Sequence, residues 1–124
     1  MKLNEAIERV NTLKDNAYDD TVIKNFIEDC DKQIYREVVE THENKNKYEP
    51  FETRYPLNSE DELIADDAYC ELYVFYAIAK IDIFNGETDR YTNNMICYNT
   101  ALSNFKAYYN RHNKPLGRKR IVTN

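Results

Sequence analysis

Histidine, cysteine and paired carboxylates are the side chains in this chain that could do more than pack. The two histidines, His42 and His112, stand alone, with no second histidine or Glu-x-x-His spacing beside either. Each falls at the end of an expected helix, where a positive ring suits the helix dipole without any catalytic duty. The cysteines, Cys30, Cys70 and Cys97, are odd in number and far apart, with no Cys-x-x-Cys pair. Zinc and redox motifs are therefore not expected. Each thiol reads as a small apolar group within a helix, which fits a reducing interior. The carboxylate pairs Asp19-Asp20 and Asp66-Asp67 are adjacent in sequence, so on a helix their side chains diverge and share one ion poorly. No Gly-rich phosphate loop is present. The expectation is a protein that is not an enzyme and has no catalytic, cofactor-binding or metal-ligating residue.

The elements that would hold such residues are helical. Two Gly and three Pro in 124 residues favour long helices over a sheet rich in turns. The spacing predicts an all-α bundle of about four helices, with residues 1–112 as one helical domain. Helix one is capped by Asn4 and carries Ile7, Val10 and Leu13 on one face. Helix two starts at the Asp19 N-cap and ends near Glu43. Its apolar face is Ile23, Ile27, Cys30, Ile34 and Val38. Lys24, Glu28, Asp31, Lys32 and Glu40 form the solvent face. Residues 44–58, with Pro50 and Pro56, read as a long loop whose aromatic residues Tyr48, Phe51 and Tyr55 dock onto its own domain or a neighbour.

Ser59-Glu60-Asp61-Glu62 has the pattern of a capping box and predicts that helix three runs from Ser59 to Phe84. Asn85-Gly86 stops it, and helix four follows at once from Thr88 to His112. Helices three and four are expected to form a long antiparallel hairpin. Helix four has one apolar side: Tyr91, Met95, Tyr98, Leu102, Phe105 and Tyr109. Helix three is apolar all round from Leu72 to Phe84, which implies covering by partner subunits. Tyr73, Phe75, Tyr76 and Phe84 are the candidates for that subunit contact, with the core of their own chain as the equal alternative for each. Eleven Tyr and no Trp fit surfaces that become buried on assembly.

Charge is uneven. Residues 1–67 hold nine Lys and Arg against eighteen Asp and Glu, whereas no acidic residue follows Asp89. Seven positive residues remain beyond it: Arg90, Lys106, Arg111, Lys114, Arg118, Lys119 and Arg120. An acidic front and a basic rear can pair head to tail between identical chains, or the rear can face nucleic acid. From Asn113 the chain reads as an extended basic C-terminal arm, residues 113–124, that orders on a partner. No apolar run reaches the roughly 20 residues that span a bilayer, and no signal peptide is expected.

Short stretches in a fixed order point further. They include Val10-Asn11-Thr12-Leu13-Lys14, Tyr18-Asp19-Asp20, Ile34-Tyr35 and Thr41-His42-Glu43. Others are Leu63-Ile64-Ala65, Tyr69-Cys70-Glu71-Leu72-Tyr73, Ala79-Lys80-Ile81-Asp82, Glu87, Arg90-Tyr91-Thr92-Asn93 and Ala107-Tyr108-Tyr109-Asn110-Arg111. In these the chain resembles the small helical head–tail connector (adaptor) proteins of long-tailed bacteriophages. The resemblance implies a structural virion protein, made in the host cytoplasm and housed in the neck. It implies a homo-oligomeric ring of about twelve copies under the portal protein, closed by heterologous contacts. DNA would pass through the lumen without sequence-specific binding, and the next neck, stopper or tail protein would dock on the far side. It assigns Arg118, Lys119, Arg120, Ile121 and Val122 to a portal-binding arm. Two other classes are open: a helical nucleic-acid-binding module using the basic residues after Asp89, and a small bundle enzyme with carboxylates around a metal.

Overall fold

The computed structural model describes residues 1–43, 45–66 and 68–116, for Lys45 the backbone only. The chain is mostly helical, and the described residues contain no strand. Its elements are α1 (Leu3–Leu13), α2 (Asp20–Ile34) continued by a π-helical turn (Tyr35–Val39), and a 3-10 turn (Lys45–Lys47). A short α3 (Phe51–Arg54), α4 (Glu71–Phe84) and α5 (Thr88–His112) follow.

Helix α1 buries Leu3, Ala6 and Val10, spaced three and four apart. Its N-cap is Lys2 and not Asn4, whose side chain instead donates to Glu60 at 3.1 Å. The Glu5 carboxylate accepts the Lys2 amide at 2.8 Å. Helix α2 begins after Asp19 as expected, but the Asp19 side chain makes no capping bond. Only its carbonyl serves, accepting from Val22 and Ile23. The π turn, closed by Glu40 N–H on the Tyr35 carbonyl, adds one residue to the winding. It lets the adjacent Val38 and Val39 both reach the core.

The described residues of 59–70 are not helix. The capping-box pattern is present in sequence but its groups are used elsewhere. The Ser59 and Asp61 carbonyls accept the amides of Asn4 and Leu3, two donors that the first turn of α1 cannot satisfy itself. Leu63 N–H returns to the Met1 carbonyl, and Glu62 faces the N-terminal ammonium at 3.3 Å. Helix three is thus shortened to α4, which is about 21 Å long at 1.5 Å per residue.

α4 is the centre of the molecule. Leu72, Tyr73, Val74, Tyr76, Ala77, Ala79, Ile81 and Asp82 are all buried, with α1, α2 and α5 packed around it. The expectation that partner subunits cover this helix is corrected for Leu72 to Asp82, where the chain supplies most of the cover itself, and only Ile83 and Phe84 at its end are exposed. Asp82 meets Asn94, Tyr76 meets Tyr98 and Tyr69 meets Tyr108, so contacts between α5 and the stretch up to Phe84 run in opposite senses. Gly86, between α4 and α5, takes φ 76°, a conformation open to Gly because it lacks Cβ. On α5 the buried residues are Tyr98, Phe105 and Tyr109, members of the stripe read from its spacing.

The aromatic residues of 44–58 dock onto their own chain. Phe51 and Tyr55 pack edge-on against Tyr35, at 5.4 and 6.1 Å, and the Tyr35 hydroxyl donates to the Glu49 carbonyl at 2.6 Å. Residues 113–116 are also held. Glu43 N–H bonds the Lys114 carbonyl, and Leu116 N–H bonds that of Thr41, both at 2.8 Å. The start of the expected arm therefore belongs to the body. Arg118, Lys119, Arg120, Ile121 and Val122 lie outside the described residues.

Candidate functional site

The most elaborate polar cluster is built on Asp31, a residue the charge pattern had placed on the solvent face of α2. It is fully buried. One carboxylate oxygen accepts the Tyr73 hydroxyl at 2.6 Å and Ile64 N–H at 3.0 Å. The other accepts the Tyr55 hydroxyl at 2.7 Å and Arg54 through Nη2 at 2.8 Å and Nε at 3.2 Å. Tyr73 in turn accepts Ala65 N–H at 2.9 Å. Beside it the buried Glu28 accepts Leu57 N–H at 3.1 Å and faces Lys32 at 3.5 Å.

Apart from Lys32 on α2 itself, each partner of this cluster lies in α4 or in the run from Arg54, the last residue of α3, to Ala65. The two carboxylates satisfy amides that the run cannot pair within itself. Burial, and then the Asp31 charge, push the Tyr73 hydroxyl well above its ordinary range. Tyr55 moves the same way for the same two reasons. For Arg54, desolvation acts to lower the guanidinium but the Asp31 charge outweighs it. Tyr73 and Tyr55 are thus held as neutral donors, and every strong acceptor direction of Asp31 is taken. The cluster fastens a segment and has no free group for a substrate.

Two further nodes are of the same kind. Lys14 bridges the buried Asp82, at 2.9 Å, and Glu87, at 2.7 Å. Hydrogen bonds to Glu87 and then Asp82 raise its ammonium above the usual range. His42 is buried against the Tyr109 ring. Its Nδ1 lies 2.6 Å from the Val38 carbonyl, and its Nε2 lies 2.7 Å from the Asn110 Oδ1. It ties the end of the π turn to α5. His112 is exposed at the end of α5, with its Nδ1 2.9 Å from the Tyr108 carbonyl. Cys30 is buried, which drives its thiol upward, with its sulfur 3.8 Å from the Tyr98 hydroxyl. Cys70 is buried and Cys97 exposed. Asp67 lies outside the described residues. Among the described residues no group of three His, Cys, Asp or Glu is arranged to hold a metal ion. Nor is any helix among the described residues long and apolar enough to cross a membrane.

The candidate interface residues divide. Tyr73 is 0% exposed and bonded to Asp31, so it belongs to the core of its own chain. Tyr76 is buried on Tyr98, and a charge placed there probes folding instead of assembly. Phe75 is half-buried against the same core. Only Phe84 stays in the open, 64% exposed, stacked on Phe26 at 5.9 Å. Leu13, expected on the apolar face of α1, is 54% exposed, and Ile96 on α5 is 59% exposed.

The basic residues after Asp89 are partly neutralised within the chain. Lys106 faces Glu37 at 3.1 Å, Arg90 faces Glu87 at 3.9 Å and Lys114 faces Glu43 at 4.0 Å. Front and rear thus pair in part inside one molecule. The potential left for nucleic acid is smaller than the residue count implies.

No family model, no curated protein and no solved structure matches the chain.

Proposed function

We propose that the protein is a structural subunit of a bacteriophage neck, a head–tail connector (adaptor) of the small helical type. Several copies form a ring beneath the portal, leave a passage for DNA, and present a docking surface to the next neck or tail protein. The ring has about twelve copies and closes by one face meeting a different face of the next copy. Within each copy α4 and α5 form the antiparallel hairpin on which the subunit is built.

The observation that carries this reading is uncovered apolar surface on a chain whose buried polar groups are spent internally. Phe84, Ile96 and Leu13 are large, exposed and set in helices. Ile83, beside Phe84, is exposed as well, and grouped apolar side chains of this kind mark a surface that an assembly buries. The buried acids, Asp31, Glu28 and Asp82, each serve the fold. The ordered resemblance along the chain gives the kind of assembly.

The C-terminal residues Arg118, Lys119, Arg120, Ile121 and Val122 grip the portal. The lumen is not strongly basic, because many phosphate contacts would hold DNA in place in a steeply salt-dependent manner.

Co-purification with the portal tests the proposal. The full chain should elute with the portal in several copies. A chain ending at Leu116 should keep its helical circular dichroism and lose the portal. A chain that ignores the portal and instead binds duplex DNA in a salt-dependent manner would replace this reading with the nucleic-acid-binding one.

A further inference from the structure

Two surfaces of the molecule carry uncovered apolar groups, and their surroundings have opposite charge. The first is an edge where the α1–α2 connection meets the end of α4. Leu13, Ile83 (39% exposed) and Phe84 project from it. The edge is one unit: the Tyr18 hydroxyl reaches Asn85 Oδ1 at 3.3 Å, and Lys14 reaches Glu87 at 2.7 Å. Its rim is acidic. Asp15, Asp19 and Asp20 are exposed, and none has an ion pair among the described residues.

The second surface is the outer face of α5. From Tyr91 to Phe105 no residue is charged, in a chain that is 31% charged overall. Ordinary solvated helices carry charges on their outer face, so this gap calls for another cause. Ile96 stands in the exposed part of this face, with Thr100, Ser103 and Ala107 beyond it, all exposed and small enough to admit another chain. The far end of the face is basic. Arg111 is exposed there and has no carboxylate within ion-pair distance among the described residues.

A charge-depleted centre with a polar rim is the anatomy of a protein interface. Like rims repel and unlike rims attract, so the acidic edge disfavours a second acidic edge and favours the basic end of α5. We infer that the acid-rimmed edge around Phe84 docks on the charge-free face of α5 of a second copy of this chain, head to tail. Each copy then has one edge and one face to offer, and the contact propagates. It is the inter-subunit contact of the proposed ring, and it rests on that reading for closure.

Sedimentation velocity on Phe84→Asp and Ile96→Asp tests the contact. Each variant spoils one of the two surfaces, and both residues are exposed, so circular dichroism should match the native chain. The native protein should grow in mass with concentration beyond a dimer. Each variant alone should associate at least tenfold more weakly. An equimolar mixture should form a dimer and nothing larger, because one intact edge and one intact face remain. If either variant fails to fold, Leu13→Asp or Thr100→Arg takes its place.

A native chain that is monomeric at millimolar concentration would overturn the inference. So would one that stops at a dimer, or a mixture that yields no dimer. The outcomes separate the contact from the connector reading. A dimer in the mixture with the protein absent from virion necks sinks only the connector. Presence in the neck with no dimer in the mixture sinks only the contact.

Discussion

Replacing Asp31 by Asn tests the account of the fold most severely, because it changes charge and hydrogen bonding but hardly any volume. The carboxylate accepts five bonds, three from Tyr55 and Tyr73 hydroxyls and the Ile64 amide, two from Arg54. An asparagine keeps one acceptor oxygen and turns the other into a donor. With the amide nitrogen toward Arg54, two sets of N–H groups face each other and a guanidinium side chain only 11% exposed loses its counter-charge. With the nitrogen toward Ile64, a buried backbone donor is left facing a donor. Breaking a buried pair by removing one partner costs about 3–5 kcal/mol. The native chain, as a domain of ordinary size, has roughly 5–15 kcal/mol in all. At about 4 °C per kcal/mol, the expected fall in Tm is roughly 12–20 °C.

Urea unfolding followed at the helical circular dichroism band would measure it. The amides of Leu57, Ile64 and Ala65 should exchange faster with solvent in the variant, since they hang from Glu28, Asp31 and Tyr73. In a double-mutant cycle with Arg54→Leu, the two losses should fall short of adding by about 1 kcal/mol or more. An Asp31→Asn protein within about 1 kcal/mol of native would refute the view that this carboxylate fastens the 54–65 run.

Lys14→Met strands the buried Asp82 and should cost about 3 kcal/mol in urea unfolding, with Asp82→Asn in the same chain recovering part of it. Gly86→Ala meets no atom within 4 Å, so its cost is backbone strain alone, about 1–2 kcal/mol, read as a shift in urea midpoint without a change in slope. Alkali should destabilise the protein. Burial raises Tyr73 above its ordinary value of 10.0, so the unfolded chain loses that proton first and stability falls as pH rises past it. Tyr73 alone contributes a slope of about 1.4 kcal/mol per pH unit, and Tyr55 and Tyr98 act in the same sense, so a flat urea midpoint between pH 8 and 11 would contradict the assignment.

Local periodicity made α5 legible, because one apolar stripe runs its whole length and its end signals are strong. The apolar stretch of α4 was legible as helix, but its surroundings were not. All-round apolarity fits burial by one's own chain as well as by neighbours, and the choice depends on how α1, α2 and α5 wrap it. Asp31 and Glu28 were misplaced because sequence distance hides their partners: Tyr73 lies 42 residues from Asp31, and Leu57 lies 29 from Glu28. The Ser59–Glu62 pattern would suit a helix, but the amides at the start of α1 compete for the same carbonyls and win. Phe84 was singled out for its type, and it alone of the four aromatic candidates remains open to a neighbour. Ile96 and the charge-free face were missed. Their trace in the sequence is the lack of charge between Arg90 and Lys106, a gap that does not by itself say which side of the helix faces outward.

For the proposed connector role, electron cryo-microscopy of virion necks is the most direct measurement. Expected is a ring of copies between the portal and the tail, with Phe84 of each copy against α5 of the next. Resolved necks with no density for this chain would contradict the connector account.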